Sequence, residues 1–428
     1  MYSVIDCNSF YVSCERVFQP KYNNHPVVVL SNNDGCVISR SIEAKQMGIP
    51  MGAPAFKYEE FFQQNKVKVF SANFALYGDM SSRVMKTIAE YGQEMEIYSI
   101  DEAFLKLQGF SPKQLSETSK DMRAVILKNI GIPVSIGVAQ TKTLSKAANE
   151  IAKNTEKYQG VYVIDSNDSS TYEKQFAEMP ISEIWGIGRR LTAHLNELGV
   201  FTIKQLMECD DQWIKDTSTI SGLKSVRELR GESCIDFEEV RAAKQSIISS
   251  KSFGTPTKTK AGLKEAVASF TARAAEKLRE EREITARIGV SITTNYHKKQ
   301  EQQYHNSKHL KLLQPTDHTP DLITTALQIV DSIYKDGFRY KKATVHLFDL
   351  RGKKEVQDGL WYQSEVSWQD SNRKRDERLM HVVDKINTEL GTETVRFGAQ
   401  GVKTVWKQRR MKRSPRYTTR WDELPKVQ

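Results

Sequence analysis

The chain has 428 residues, of which 39% are hydrophobic and 27% charged, as is usual for a globular protein of several domains. It contains no run of about 18 apolar residues, and no basic segment precedes a long apolar one at its start, so we expect neither a membrane-spanning helix nor a signal peptide. The five cysteines are scattered without Cys-x-x-Cys spacing, which argues against a structural zinc and for a reducing compartment. The formal net charge of +10 indicates a polyanionic partner, although a basic balance alone is weak support.

Short elements are predicted for the first part of the chain. A strand over 2–5 ends at Asp6, and the segment 16–72 follows as a compact insertion. The insertion is predicted to contain strands at 27–30 and 36–38, a polar turn at 32–35, and a helix at 41–47 stopped by Gly48. A longer helix opens near Asn73, and its single apolar stripe consists of Leu76, Met80, Val84 and Ile88.

Two adjacent carboxylates, Asp101 and Glu102, follow between apolar runs at 95–100 and 103–107, which predict strands. If the strand that ends at Asp6 is their neighbour in one sheet, three carboxylates converge at one edge. Such a group is tolerated most easily around a divalent cation with a preference for oxygen ligands. Two such ions, about 3.5–4 Å apart, can clamp the reacting oxygens of a phosphoryl transfer. Taken alone, the acidic pair is more often two surface residues in a hairpin turn.

Helices and strands alternate after this hairpin. Ser111 and Pro112 supply an N-cap and a first helical residue for a helix that reaches Asn129. A strand at 134–139, a helix at 141–152 and a strand at 160–164 follow. The alternation predicts an α+β sheet domain with helices packed on it.

A helix-hairpin-helix is predicted within a small helical segment at 166–236. Gly186 and Gly188 permit a tight turn, so the amides at the start of the next helix, beside Arg189 and Arg190, can face a phosphate. A bare Gly-x-Gly is common, and an ordinary turn between helices is the alternative.

The segment 246–350 has the order β-α-β-β-α-β of a ferredoxin-like arrangement. Its strands are predicted near 246–253, 286–293, 307–313 and 343–347, and its helices near 263–282 and from Thr319. The remainder, 351–428, is polar and basic, with eight Lys or Arg and no acidic residue between Val402 and Arg420. We expect this tail to form one amphipathic helix over 378–390 and no compact core.

Two motifs resemble those of the Y-family translesion DNA polymerases. They are Asp6-Cys7-Asn8-Ser9-Phe10-Tyr11-Val12-Ser13-Cys14-Glu15 and Ser99-Ile100-Asp101-Glu102-Ala103-Phe104. Further matches follow at Ile42-Glu43-Ala44-Lys45, at Lys142, Lys146 and Lys153, and at the glycine hairpin. The ending from Met411 to Arg420 is similar to the UmuC branch, the catalytic subunits of bacterial DNA polymerase V, and the resemblance covers essentially the whole chain.

The resemblance implies an α+β multidomain fold, the right-hand polymerase. Its parts would be a ferredoxin-like palm (1–15 and 73–165), small fingers (16–72), a helical thumb with the helix-hairpin-helix (166–236), a linker (237–245), a βαββαβ little finger (246–350) and a basic C-terminal extension (351–428). It also implies error-prone, template-directed extension of a DNA primer past damaged bases, in the SOS response of a bacterial cytoplasm, at the nucleoid.

Site residues are carried over from the resemblance position by position. Asp6, Asp101 and Glu102 would hold two Mg²⁺ ions, with the backbone carbonyl of Cys7 as a further ligand. Tyr11 would be a steric gate whose ring collides with a 2′-hydroxyl, and Lys153 would neutralise the triphosphate. Core packing is the alternative for Tyr11, and a solvated helix end is the alternative for Lys153.

The implied nucleotide contacts are Phe10, Tyr11, Ser39, Lys45 and Lys153. Other branches of the family often have Tyr and Arg where this chain has Ile42 and Lys45. Lysine keeps the positive charge but lacks the planar fork that grips a phosphate, and isoleucine cannot donate a hydrogen bond. We therefore expect a weaker grip on the triphosphate from the fingers.

The tail offers two candidate partner sites. Gln357, Leu360 and Trp361 resemble a sliding-clamp peptide, whose apolar anchors are buried in a clamp pocket; local packing on the little finger is the alternative. The basic segment 402–420 would bind DNA or dock an accessory subunit. The UmuC resemblance adds a UmuD′-type subunit and a RecA filament to the implied partners, primer-template DNA and dNTPs.

Two other function classes use the same features. A two-metal nuclease would need the carboxylates but neither a sugar gate at Tyr11 nor a triphosphate lysine. A non-catalytic DNA-binding subunit would need the basic surfaces but not an intact set of Asp6, Asp101 and Glu102.

Overall fold

The computed structural model describes residues 1–165, 170–238, 244–353, 366–401 and 408–424. The chain divides into two compact units, Met1–Ala242 with Met411–Gln428, and Ala243–Arg410. Across the described ranges, no helix combines the length and apolar character needed to cross a membrane.

The first unit contains eight described strands and eleven described α-helices. The strands are β1 (Tyr2–Cys7), β2 (Val27–Leu30), β3 (Val37–Arg40), β4 (Lys68–Ser71), β5 (Glu94–Ile97), β6 (Glu102–Lys106), β7 (Val134–Ala139) and β8 (Val161–Val163). The helices are α1 (Phe10–Phe18), α2 (Ile42–Gln46), α3 (Glu59–Gln64), α4 (Phe74–Ala89), α5 (Pro112–Ile130), α6 (Lys142–Asn154), α7 (Ser170–Glu178), α8 (Arg189–Glu197), α9 (Ile203–Glu208), α10 (Asp211–Thr217) and α11 (Ile220–Leu229).

A five-stranded sheet with the order β5-β6-β1-β7-β8 is the main layer of this unit. Strand β1 pairs antiparallel with both β6 and β7, and only β7 and β8 pair in parallel. One core cluster joins this sheet to α1, α4 and α5, and the predicted stripe Leu76, Met80, Val84 and Ile88 is buried in it. The four strands of this sheet that come first along the chain are β1, β5, β6 and β7. Their order in the sheet, β5-β6-β1-β7, is that of a ferredoxin-like sheet, which confirms the predicted palm fold.

Helix α6 packs closely on β7 because Gly137 has no side chain. A Cβ at this position would lie 2.2 Å from both the Asn149 amide nitrogen and the Ser145 carbonyl oxygen, which belong to the backbone of α6. Gly78, in the second turn of α4, has no neighbouring atom within 4 Å of its Cβ position. These two glycines therefore differ in whether the packing requires them.

We expect Gly137→Ala to lower the free energy of unfolding by about 3 kcal/mol or more, since backbone cannot move aside as a flexible side chain can. The matched variant Gly78→Ala should raise it by about 0.5–1 kcal/mol through helix propensity. Urea denaturation of both variants checks this, and equal stabilities would contradict the packing described.

The predicted strand at 95–100 is shorter in the structure. Strand β5 ends at Ile97, and a turn leads to β6, which begins at Glu102. The Ser99 hydroxyl accepts a hydrogen bond from the Asp101 amide, and the amides of Tyr98 and Ser99 both donate to the Glu102 carbonyl. These local bonds end the strand pairing earlier than the apolar pattern predicts.

The smaller sheet, with the order β3-β2-β4, belongs to the insertion and has a core of its own. Gly48 follows α2 with a φ of 76°, as its predicted role as a helix stop requires. Strand β4 and helix α3 were not predicted from the sequence.

A buried carboxylate ties the helical segment α7–α11 to α6, which packs on the large sheet. Glu228, on α11, is completely buried and accepts hydrogen bonds from the amide and hydroxyl of Thr143 and from the amides of Cys234 and Ile235. Because four donors satisfy the charge, α11 and the start of α6 are held together.

The second unit contains the predicted β-α-β-β-α-β order. Its elements are β9 (Ile247–Thr257), α12 (Lys260–Glu280), β10 (Glu283–Thr293), β11 (His305–Thr316), α13 (Thr319–Ile333), β12 (Tyr340–Gly352) and α14 (Val366–Glu389). All strand pairs are antiparallel in the order β11-β10-β12-β9, and α12 and α13 share the core with the sheet. The fourth strand of this unit, β12, lies between β9 and β10. In a ferredoxin-like sheet the third strand, here β11, would lie there. The strand order of this sheet therefore differs from that of a ferredoxin-like sheet, whereas the predicted order of elements along the chain is confirmed.

The tail is packed more closely on the rest of the protein than its composition suggests, although none of the core clusters of the described residues is its own. Helix α14 begins well before the predicted residue 378, and it buries Met380 and Val383. The Arg279 guanidinium pairs with both carboxylate oxygens of Asp384, at 2.6 and 2.8 Å. Residues 411–417 pack on the rest of the first unit mainly through hydrogen bonds. Such contacts require no regular spacing of apolar residues, so the sequence does not predict them.

Candidate active site

The strands that carry the three predicted carboxylates are neighbours in the large sheet. In the antiparallel register of β1 and β6, Asp6 lies opposite Glu102. The Cys7 amide donates a hydrogen bond of 2.9 Å to the Asp101 carbonyl oxygen. The predicted convergence of Asp6, Asp101 and Glu102 at one sheet edge is therefore confirmed for the backbone.

Each carboxylate has a partner from the protein. The Lys153 ammonium lies 3.2 Å from Asp6 Oδ1, and the Lys146 ammonium lies 2.5 Å from Glu102 Oε1. The Ser99 hydroxyl donates to Asp101 Oδ1 at 2.5 Å. Within the described residues, no three Asp, Glu, His or Cys side chains are arranged to hold a metal ion together.

The electrostatics of Asp6 nevertheless favour a cation. Burial raises the pKa of Asp6 to about 6, Lys153 opposes this rise, and the charges of Glu102 and Asp101 add to it. The donor set, three carboxylates at adjacent strand ends, suits an oxygen-preferring divalent ion. To bind one jointly, Asp6 and Glu102 would have to turn from Lys153 and Lys146.

Positive charge from the insertion and from α6 meets beside Asp6. Lys153 lies 3.0 Å from Glu150, and Asp6 and Glu150 raise the pKa of Lys153 although its burial acts to lower it. Burial, together with the charges of Arg40 and Lys153, lowers the pKa of Lys45. Arg40 was not among the predicted residues; one of its guanidinium NH₂ groups donates to the Ile49 carbonyl at 2.5 Å. These side chains form a basic patch suited to a polyphosphate.

Tyr11 lies on α1 and is half-buried against α4. Its ring stacks on that of Tyr77 with centroids 4.6 Å apart, and Phe74 meets it edge-on at 6.0 Å. Burial, followed by the nearby Asp101 carboxylate, raises the pKa of Tyr11. The ring is therefore fixed close to the carboxylate edge, where a sugar gate would have to lie.

Two other predicted nucleotide contacts have little exposed side chain. Phe10 is 3% exposed and belongs to the core, so a contact with a nucleotide would have to involve its backbone. The Ser39 hydroxyl is buried and accepts a hydrogen bond of 3.4 Å from the Val12 amide.

The glycines of the predicted hairpin lie between a short 3₁₀ helix, Ile181–Glu183, and α8. Gly186 has a φ of 93°, Gly188 is the N-cap of α8, and Arg189 and Arg190 are exposed. Trp185, which was not predicted, donates from Nε1 to the Tyr98 hydroxyl at 3.0 Å.

Trp185 also belongs to an aromatic cluster around Lys146. The Lys146 ammonium lies 4.2 Å from the Tyr98 ring centroid and 5.1 Å from that of Trp185. The partner of Glu102 is therefore held by cation–π contacts from two segments. Because Tyr98 and Trp185 are 87 positions apart, no local sequence pattern predicts their contact.

The clamp-like residues Gln357, Leu360 and Trp361 lie outside the described residues.

Comparison with known proteins identifies the class. A sequence model described as the impB/mucB/samB family matches residues 5–150, and one for the C-terminal domain of that family matches 244–360. A third, for a domain of unknown function (DUF4113), matches 377–427. The chain is similar in fold to a chimera of the Y-family DNA polymerases Dbh and Dpo4, with a TM-score of 0.64 and 21% identity, over 82% of this chain and 100% of that one.

Relatives cover the full length of the chain. It is 42% identical to Protein UmuC of Salmonella typhimurium, over 100% of both chains, and 39% identical to Protein SamB of the same organism, over 99% of both. It is 23% identical to DNA polymerase IV 1 of Bacillus subtilis, over 92% of both. The chain belongs to the impB/mucB/samB family, as a UmuC-like Y-family DNA polymerase. Membership implies DNA and dNTP substrates and a dependence on divalent metal ions.

Proposed function

We propose that the protein extends a DNA primer past damaged template bases by error-prone, template-directed synthesis, with Asp6, Asp101 and Glu102 as the carboxylates of its active site. The observation that supports this assignment most is the strand register that sets Asp6 opposite Glu102. Family membership supports the activity, and the strand register supports the choice of these residues. In this proposal the protein acts in the SOS response, in the cytoplasm at the nucleoid.

The chain's own residues have distinct parts in the reaction. Bound divalent ions, two Mg²⁺ in this proposal, would favour the 3′-oxygen nucleophile and neutralise the departing pyrophosphate. Asp6, Asp101, Glu102 and the Cys7 carbonyl would hold them. Lys45 and Lys153 would bind the triphosphate, with Ser39 and the backbone near Phe10 beside it, and Tyr11 would lie under the sugar.

Lys153 would turn from Asp6 to the triphosphate when a nucleotide binds. We expect Lys153→Met to raise the KM for dNTPs by about 10- to 100-fold, because one charge-assisted contact is lost. Steady-state kinetics of single-nucleotide insertion measures this, with Lys157→Met as the control for a nearby exposed lysine. An unchanged KM in Lys153→Met would remove the residue from the triphosphate site.

Primer extension separates this function from the two alternatives. With four dNTPs and Mg²⁺, a primer annealed across an abasic template site should lengthen past the lesion. A two-metal nuclease would shorten the primer, and a non-catalytic subunit would leave it unchanged. The assay is run with and without a UmuD′-type subunit and RecA filament, the accessory partners in this proposal.

The exposed Arg189 and Arg190, beside Gly186 and Gly188, would bind the DNA backbone.

A sliding clamp is the further partner proposed. Deleting residues 357–362, which include Gln357, Leu360 and Trp361, should remove stimulation of synthesis by the clamp, because the apolar anchors are lost. Basal extension without clamp serves as the control and should stay unchanged. Equal stimulation of the deletion variant would reject the clamp assignment.

A further inference from the structure

A segment near the C-terminus, residues 411–417, packs on the first unit; we call it the strap. The Ser71 amide donates to the Lys412 carbonyl at 3.0 Å, and the Lys412 amide donates to the Ser71 hydroxyl at 2.9 Å. At the other end, the ring of Tyr417 stacks on Phe18 with centroids 4.7 Å apart. The strap is therefore fixed both to β4 and to α1.

The middle of the strap is bonded to the residue that opens α4. The buried side-chain amide of Asn73 donates to the Ser414 carbonyl at 3.1 Å, to the Ser414 hydroxyl at 2.9 Å and to the Pro415 carbonyl at 3.0 Å. The Asn73 side chain therefore bonds to the strap and makes no capping hydrogen bond to its own helix, α4.

The hydroxyl of Ser414 links the strap to a buried carboxylate, Glu15. It donates to Glu15 Oε1 at 2.9 Å, and the same oxygen accepts the Tyr77 hydroxyl at 2.7 Å. Glu15 is 1% exposed, and its second oxygen has no partner in the described part of the chain. Burial raises the pKa of Glu15 to about 7, while the hydrogen bonds from Tyr77 and Ser414 act to lower it. These two hydroxyls are therefore the main compensation for burying the carboxylate.

The same groups adjoin the sugar gate. Glu15 and Tyr11 are four residues apart on α1, so they lie on one face of that helix. The Tyr77 ring, whose hydroxyl is bonded to Glu15, lies against the Tyr11 ring at an interplanar angle of 17°. A rotation of Tyr77 would therefore change the surface against which Tyr11 packs.

We propose that the strap holds the Tyr11 ring in the orientation that discriminates between deoxyribose and ribose, acting through Ser414, Glu15 and Tyr77. The inference rests on the proposed role of Tyr11. Ser414, Glu15 and Tyr77 are positioning residues, since none of them would touch the nucleotide. The strap lies within residues 377–427, which match a domain of unknown function, and the proposal gives it a part in sugar selection.

The test compares dNTP and rNTP insertion in the full-length protein with Ser414→Ala and Tyr77→Phe. Each should lower the discrimination against rNTPs, as the ratio of kcat/KM values, by about fivefold, the effect of one hydrogen bond, while dNTP insertion changes by less than about twofold. Tyr77→Phe keeps the stacked ring and the strap bonds, so it decides the question if Ser414→Ala does not fold. Thr418→Ala is the matched control, because the Thr418 hydroxyl is buried without a hydrogen-bond partner among the described residues.

The outcomes separate the inference from the proposed function. Unchanged discrimination in both variants, even with a lowered Tm, would leave the strap a structural role only and overturn the inference. Tyr11→Ala is measured in parallel. If it does not affect discrimination, the gate itself is wrong; if it does while the other variants do not, only the inference is wrong.

Discussion

We expect Asp101→Ala to lower the rate of primer extension by about 10³-fold, because a carboxylate that holds a catalytic metal contributes several kcal/mol to transition-state stabilisation. Asp101 lies in the turn before β6 and is only partly buried, so its loss should have little effect on folding. The measurement is single-turnover insertion at saturating dNTP and Mg²⁺.

The control for this variant is Glu94→Gln. Glu94 lies in the same sheet, on β5, where it pairs with Lys106 at 3.0 Å at the far end of the hairpin from Asp101. Its replacement should leave the insertion rate within about twofold of the wild type, as for a surface substitution. An Asp101→Ala protein that retains lesion bypass would instead support a non-catalytic role.

The second large effect is expected for Tyr11→Ala, which should raise rNTP insertion relative to dNTP insertion by about 100-fold. Removing the ring opens space for a 2′-hydroxyl, whereas the carboxylate edge is left intact. The ratio of kcat/KM values for the two nucleotides measures it.

Tyr11→Phe is the matched control for the gate. It retains the ring and its stacking on Tyr77 and removes only the hydroxyl, so discrimination should remain close to that of the wild type. An unchanged ratio in Tyr11→Ala would remove the sugar-gate role from Tyr11 and return the residue to core packing.

The carboxylate edge was predictable because it depends on local patterns. The apolar runs around Asp6 and around Asp101-Glu102 predict strands, and two strands that end in acids are easily tested as neighbours. The same holds for α5, where Ser111 and Gln114 form the capping box that opens the helix. Hydrophobic periodicity and capping residues carry this information within a few positions of each element.

Other parts of the site depend on contacts between distant residues. Trp185 and Tyr98 form a hydrogen bond across 87 positions, and Asn73 and Ser414 across 341. Neither contact leaves a period or a motif in the sequence. The strap in particular is bound by backbone carbonyls and hydroxyls, so its polar composition suggested a tail without a core. The family resemblance predicts Lys146 and Lys153, the latter as a triphosphate contact, but no local pattern predicts that they pair with Glu102 and Asp6.

The position of Mn²⁺ in crystals of the protein with primer-template DNA and a non-reactive dNTP tests the account most directly. Anomalous scattering should place the metal about 2.0–2.3 Å from carboxylate oxygens of Asp6, Asp101 and Glu102, with Lys153 and Lys146 turned away from Asp6 and Glu102. Metal bound elsewhere, with both lysine–carboxylate pairs intact beside a bound dNTP, would contradict it.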